Sequence, residues 1–318
     1  MLRVDNLKIY YFLRDGVVKA VDGVSFIVPD RSIVGLVGES GSGKSTLASG
    51  ILRLIPPPGR IVDGKIYLDG VELTSLSEEE MRRIRGRDIS MVFQDPLASL
   101  DPLMKVGEQI VEAILAHEDI SREEAIERTY KLLNDVGVGE ERFHSYPHQL
   151  SGGQRQRVMI AIAMALNPRI LIADEPTTAL DVVVQRQIME LFNELRNKYS
   201  TSILLISHDI SLIIQWSDYI GVMYAGELVE FSESRKLVEK PLHPYTQALI
   251  KAIPRISGGS SRLYSIPGSP PDLTNPPSGC RFHPRCPYKM EICESKIPEE
   301  YNFHGHRVRC WLYEEGIG

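Results

Sequence analysis

Gly38-Glu39-Ser40-Gly41-Ser42-Gly43-Lys44-Ser45 sets three glycines before a lysine and a hydroxyl. This spacing lets consecutive backbone N–H groups turn toward a phosphate at a helix N-terminus. Lys44 is placed to reach the β and γ phosphates of a nucleotide such as ATP, and Ser45 to offer an oxygen to the magnesium that accompanies it. The binding stretch is read as Gly38 through Thr46. A second group, Asp174-Glu175, ends the apolar run Ile170-Leu171-Ile172-Ala173, so two carboxylates leave a strand at the edge where open α/β sheets place ligands. Asp174 suits magnesium, directly or through water, and Glu175 suits a general base that polarises an attacking water. Alone, such a pair would be a solvated strand cap; beside a phosphate loop it is a candidate for hydrolysis. Cys280, Cys286, Cys293 and Cys310 are separated by five, six and sixteen residues. Four thiolates can enclose an iron-sulfur cluster or a tetrahedral zinc, or simply stay reduced, and spacing alone leaves all three open.

Elements that could position these groups follow from the hydrophobic pattern. Leu2, Val4, Leu7 and Ile9 alternate, Arg14-Asp15-Gly16 reads as a turn, and Val21 to Val28 completes a β-hairpin. Ile33 to Val37 is a buried strand that feeds the glycine loop, and Ser45 to Leu54 starts a helix. Helical spacing of Ile110, Ile114 and Leu115 marks residues 104–137 as a helical insertion. Ile170 to Ala173 and Ile203 to Ile206 suit central strands of a parallel sheet, with a one-faced helix through Ile188, Leu191, Phe192 and Leu195 between them. Strand alternating with helix predicts an α/β core. From about residue 254 prolines crowd the chain, and Pro267, Pro270, Pro271, Pro276 and Pro277 predict a linker before a tail with little core of its own.

The chain has 318 residues, 43% hydrophobic and 25% charged, enough for one large domain and an appendage. Val158 to Leu166 is about half of the roughly 20 apolar residues that a spanning helix needs. With no signal pattern before Val4, the chain alone is not expected to cross a membrane. A net charge of −6 argues against general affinity for nucleic acid. Cysteines without an export signal point away from structural disulfides.

Leu150-Ser151-Gly152-Gly153-Gln154 narrows the reading. Its glycines expose N–H groups at the start of a helix read as Gln154 to Leu166, an anion site without a lysine. The pentapeptide resembles the signature motif of ATP-binding-cassette proteins. That resemblance implies that this site grips the γ phosphate held by a partner's phosphate loop, so two subunits sandwich two ATP molecules head to tail. It also implies that Gln94, in Val92-Phe93-Gln94-Asp95-Pro96, senses magnesium and the attacking water. Asp181, in Ala179-Leu180-Asp181, resembles the D-loop at the dimer interface, although alone it reads as a helix N-cap. His208 is similar to the switch histidine that contacts the γ phosphate. Tyr11 is the candidate for stacking on adenine, with Tyr10 the fallback, and either could be strand core. Asp30-Arg31 departs from the Gly-Glu common in the family before the phosphate-loop strand. No catalytic position is degenerate, so an active ATPase is expected.

The implied fold is an α/β P-loop NTPase. A RecA-like core, an antiparallel β subdomain and a helical signature subdomain at about 95–165 lie within residues 1–253, and 254–318 form a Pro-rich linker and a small cysteine-containing extension. Gln94 to Pro102, His243-Pro244-Tyr245-Thr246-Gln247-Ala248-Leu249 and the cysteine tail resemble the oligopeptide and dipeptide importer ATPases. By shape alone, His243 to Leu249 reads as an amphipathic surface helix with Pro244 in its first turn. The resemblance favours a [4Fe-4S] cluster at the four cysteines, with zinc as the alternative and His283, His304 and His306 as substitute ligands or plain loop residues. It implies ATP and Mg2+ as cofactors. The implied partners are a second ATPase subunit, either a copy or a paralogue, two transmembrane permease subunits and an extracytoplasmic solute-binding protein. The implied place is the cytoplasmic face of the membrane. The expected cargo is peptide, the alternatives being oligosaccharides or other solutes. A soluble cassette ATPase of translation or DNA repair, or an unrelated P-loop kinase or GTPase, are the competing classes. One compact cassette with a signature motif speaks against both.

Overall fold

The computed structural model describes residues 1–178, 180–253 and 266–314. Ala179 and the start of the Pro-rich stretch, 254–265, therefore lie outside the described residues. In chain order the elements are β1 (Leu2–Leu13), β2 (Gly16–Val28), β3 (Ile33–Val37), α1 (Lys44–Ile51), β4 (Gly59–Leu68), β5 (Val71–Glu72), α2 (Glu78–Ile84) and β6 (Ile89–Val92). There follow α3 (Pro96–Ser99), α4 (Val106–Leu115), α5 (Arg122–Asp135), α6 (Gly152–Met164), β7 (Ile170–Asp174), α7 (Val182–Tyr199) and β8 (Ser202–Ser207). The chain ends with α8 (Ile210–Trp216), β9 (Tyr219–Tyr224), β10 (Glu227–Glu233), α9 (Ser234–Glu239), α10 (Pro244–Lys251), α11 (Glu291–Ser295), β11 (Tyr301–Phe303) and β12 (His306–Val308). No helix among the described residues is long and apolar enough to cross a membrane.

Two compact units emerge, one of residues 1–28, 33–74 and 206–318, the other of 29–32 and 75–205. In the first, β1 and β2 form the expected hairpin and extend into an antiparallel sheet of order β2-β1-β4-β5. Its β1 residues Leu2, Val4, Leu7 and Ile9 are all fully buried, although the two pairs differ in parity, because the strand is irregular between Val4 and Leu7, with Asn6 at φ 47°. In the same unit, β3 runs parallel to β9, and β9, β10, β12 and β11 continue antiparallel. The tail is thus not a core-free appendage: β12 pairs with β10, and Val308 and Cys310 pack with Leu242 in a buried cluster.

In the second unit, β6 and β7 are parallel with β8 beside β7. The predicted insertion is α4 and α5, started by Lys105 and by Ser121, whose hydroxyl accepts the N–H of Glu124 at 3.1 Å. The turn at Asp30-Arg31 closes with Arg31 at φ 56°, its N–H donating to Ser202 Oγ at 2.8 Å. An arginine thus occupies a left-handed position that glycine would adopt without strain.

Candidate functional site

In the first unit, the loop after β3 has the form the glycines predict. A side chain at Gly43 is excluded twice: its φ is 99°, and an added Cβ would lie 2.1 Å from the Ala20 carbonyl oxygen. At Gly38 a Cβ would lie equally close, 2.1 Å, to the Met223 carbonyl oxygen. Gly43 sits at the N-cap of α1 with no side-chain cap, so the first turn presents its backbone N–H groups to an anion. Lys44 is 4% exposed, and its Nζ donates to the carbonyls of Gly38 at 2.7 Å and Glu39 at 3.1 Å and to Ser42 Oγ at 3.3 Å. The ammonium therefore closes the loop on itself, poised where a phosphate can replace neutral acceptors. Ser40, Gly41 and Ser45 are exposed on the rim, with Thr46 half-buried behind them.

Other predicted residues of this unit are placed as follows. His208 follows β8 and is exposed, while Asp209 caps α8 by accepting from Ser211 at 2.8 Å and Leu212 at 3.3 Å. Tyr10 donates to Asp22 Oδ1 at 2.7 Å, and burial together with that bond pushes its phenol pKa up. Tyr11 lays its ring over Gly59, where an added Cβ would meet it at 2.5 Å. Sequence reasoning missed two partners of the loop: Glu39 donates its N–H to Tyr245 Oη at 2.9 Å, and its carboxylate pairs with Arg285. Both partners lie more than 200 positions along the chain, beyond any local signal.

In the second unit, β7 delivers Asp174, 5% exposed, and then turns at Glu175 with φ 47°. Glu175 Oε2 accepts from Gln94 Nε2 at 3.3 Å and from Thr178 Oγ1 at 3.0 Å. Gln94 and Glu175 are therefore brought together, and Thr178 joins them, a residue the sequence did not single out. Asp181 caps α7, accepting from Val183 at 3.0 Å and Val184 at 2.9 Å. The signature begins its helix two residues earlier than predicted, because Ser151 is the cap: Gln154 N donates to Ser151 Oγ at 3.3 Å and Ser151 N to Gln154 Oε1 at 3.0 Å. Gly152 and Gly153 thus occupy the first turn of α6. A cavity of about 360 Å³ opens there, lined by Ser151 to Gln154, Arg157, Leu180, Asp181, Val184 and Gln187. Leu150, 4% exposed, anchors the approach.

The four tail cysteines form no disulfide. Cys293 and Cys310 are buried and Cys280 and Cys286 half-buried. Burial pushes the thiols of Cys280 and Cys310 up to about 12. Among the described residues, no group of three or more His, Cys, Asp or Glu is arranged to hold a metal ion. His306 is committed elsewhere, its Nε2 lying 2.6 Å from the buried carboxylate of Glu230. His283 Nδ1 lies 3.0 Å from the Cys280 carbonyl oxygen.

Two family models match this sequence: "ABC transporter" over residues 21–178, and "Oligopeptide/dipeptide transporter, C-terminal region" over residues 229–293. The sequence is 47% identical over 319 residues to the oligopeptide transport ATP-binding protein AppD of Bacillus subtilis (strain 168), covering 99% of this chain and 97% of that protein. It is 44% identical over 319 residues to the dipeptide transport ATP-binding protein DppD of the same organism, covering 99% and 95%. Among solved structures, the dimeric post-hydrolysis state of the ATP-binding cassette MJ0796 bound to ADP and Pi superposes with a TM-score of 0.67 at 30% identity, covering 74% of this chain and 99% of that one.

Proposed function

The chain belongs to the ABC transporter family, in its oligopeptide/dipeptide branch, and from that premise we propose that it is the ATP-hydrolysing subunit of a peptide importer. The observation that carries the reading is the presence of two anion cradles of different construction, each at a helix N-terminus. One has a buried lysine and the other has a serine-capped pair of glycines.

The loop Gly38–Thr46 binds the phosphates of ATP, Lys44 exchanging loop carbonyls for phosphate oxygens. By the family resemblance, Ser45, Asp174 and Gln94 would each offer an oxygen to Mg2+, a hard cation that takes a few protein oxygens beside phosphates and waters. A hydroxyl, a carboxylate and an amide oxygen are each donors that such a cation accepts. When bound, magnesium neutralises phosphate charge during transfer. Glu175, held by Thr178 and Gln94, takes a proton from the attacking water, and His208 contacts the γ phosphate. Tyr11 stacks on adenine. Leu150 to Gln154, with Asp181, receive the γ phosphate of a second ATPase subunit, a copy or a paralogue. Closure of that pair drives two permease subunits, fed by an extracytoplasmic solute-binding protein, and the chain sits peripherally at the cytoplasmic face of the membrane.

In domain terms, residues 1–253 form the nucleotide-binding part, with the helical subdomain at about 95–165, and 254–318 form the extension. For the four cysteines we propose a [4Fe-4S] cluster on residue kind alone: thiols suit it and no disulfide occupies them, but the described residues show no group arranged to hold a metal ion. Zinc is the alternative. Anaerobic reconstitution with iron and sulfide, followed by metal analysis and visible absorption, tests this; a tail that takes up neither iron nor zinc refutes it.

Co-expression with the permeases and reconstitution into vesicles tests the main reading. ATP-dependent uptake of labelled peptide is the expected result. ATP hydrolysis without any association with permease subunits would sink it.

A further inference from the structure

Glu39 is the one ionisable side chain of the phosphate loop besides Lys44, and a carboxylate at that position opposes the charge of any phosphate the loop receives. The structure answers this charge from the tail. Arg285 Nη1 donates to Glu39 Oε2 at 2.7 Å and Nη2 to Oε1 at 2.9 Å, a two-pronged pair. The Arg285 side chain is 6% exposed and that of Glu39 25%. The other donors of the guanidinium are also engaged: Nε donates to the Pro267 carbonyl at 2.7 Å, Nη1 to Tyr224 Oη at 3.3 Å and Nη2 to the Gly268 carbonyl at 3.5 Å. Tyr245 holds the other end of Glu39 by accepting its backbone N–H at 2.9 Å.

These anchors are themselves fixed. The Tyr245 ring lies 4.7 Å from that of Tyr224 and 5.4 Å from that of Phe282, while Tyr224 lies 5.1 Å from Phe282. Arg281, four residues before Arg285, bonds Asp22 and the Ala225 carbonyl. The segment between Cys280 and Cys286 therefore inserts two arginines and a phenylalanine into the unit that carries the phosphate loop, all partners named here belonging to that unit.

We propose that Arg285 is a positioning residue of the ATP site: through its paired bonds to Glu39 it neutralises the carboxylate and fixes the loop in its phosphate-accepting shape. The C-terminal tail thereby sets the affinity for ATP. The proposal rests on the reading of Gly38–Thr46 as the phosphate cradle.

The test uses the full chain and measures ATP binding, KM and kcat together with thermal unfolding. Energetic coupling between sites commonly amounts to about 5- to 150-fold, and for Arg285→Gln we expect Kd and KM for ATP to rise about tenfold with kcat at saturating ATP kept within about twofold. Arg285→Lys keeps the charge and loses the fork, so an intermediate KM is expected. Glu39→Gln combined with Arg285→Gln removes both charges and returns KM at least halfway, on a logarithmic scale, to the parent value. A Lys44→Ala control separates the two readings. If it binds ATP normally, the cradle reading and this proposal fall together. If it loses ATP while Arg285→Gln keeps the parent KM, the proposal alone is overturned. It is overturned equally if the double variant is no better than Arg285→Gln, or if Arg285→Gln only lowers the unfolding temperature.

Discussion

Replacing Glu175 by glutamine isolates its chemistry from its architecture. Glu175 Oε2 accepts hydrogen bonds from Thr178 at 3.0 Å and Gln94 at 3.3 Å. An amide oxygen accepts both in the same place. The backbone at this residue has φ 47°, which glutamine tolerates no worse than glutamate. What changes is a negative charge and a basic oxygen. A positioned general base contributes typically about 10²- to 10⁴-fold, or about 3 to 5 kcal/mol of barrier at 1.36 kcal/mol per decade. ATP affinity is expected to hold or improve, because one charge that repels phosphates is gone. Phosphate release at saturating Mg-ATP should fall by at least 100-fold, and sedimentation should show ATP-dependent pairing that persists. Glu175→Asp offers a second reading: its carboxylate retreats by about one C–C bond, roughly 1.5 Å, so both bonds are lost and turnover drops although a base remains. Turnover above a tenth of the parent rate in Glu175→Gln would refute the assignment of Glu175 as base.

The remaining predictions concern the two cradles and the buried histidine. Gly43→Ala combines a left-handed φ of 99° with a Cβ 2.1 Å from backbone oxygen, so the loop must open; ATP binding measured by calorimetry should weaken by at least about 100-fold, as several kcal/mol of strain implies, and an unchanged Kd would contradict this. Ser151→Ala removes the cap of α6 at a cost of about 1 kcal/mol, lowering the unfolding temperature by a few degrees and weakening ATP-driven pairing while leaving ATP binding to the chain's own loop intact. His243 is buried and its pKa lowered from 6.5 to about 4 by desolvation, opposed by the nearby charge of Glu230. Between those values the unfolded chain binds a proton that the folded chain does not, so stability is full above about pH 6.5 and is lost as pH falls toward 4. From pH 7 to pH 5 this amounts to about 2 kcal/mol. His243→Asn keeps an N-cap acceptor for the Tyr245 N–H and removes the titration. Its urea midpoint should vary less between those two pH values than the parent's.

Chemistry carried by neighbouring residues at the end of one element was legible in the sequence. The glycine loop before α1, the carboxylates at the end of β7, and the serine and glycines at the start of α6 each declare themselves within five to nine positions, because strand ends and helix starts leave backbone groups that only certain residues satisfy. Helix α6 starts two residues before the predicted Gln154, because Ser151 within the motif is itself the cap. Long-range packing was not legible. His243 to Leu249 does form a helix with Pro244 first, but Tyr245 and Thr246 are fully buried rather than on a surface, because Tyr224 and Phe282 arrive from distant segments. His306, a conceivable metal ligand by proximity to the cysteines, instead meets Glu230, which also accepts the N–H groups of Leu242 and His243 at 2.8 and 2.9 Å. No pattern in the tail announces that partner.

The difference between the two cradles bears on why one chain carries both. At the loop before α1, Lys44 supplies a buried cation, and a phosphate that displaces its carbonyl partners gains a charge-assisted bond. At the start of α6 the described residues offer the helix dipole and the first-turn N–H groups, the dipole being worth roughly 0.3–1 kcal/mol per charge at an exposed site, together with one arginine. The cation on that wall, Arg157, gives Nη1 to the Val136 carbonyl at 2.6 Å. A cradle so weak cannot hold a multiply charged phosphate from dilute solution, yet it can close over one whose charge a lysine and magnesium already neutralise. On the reading proposed above, the second cradle acts on nucleotide presented by another subunit, and its weakness would make that grip reversible once hydrolysis removes the γ phosphate.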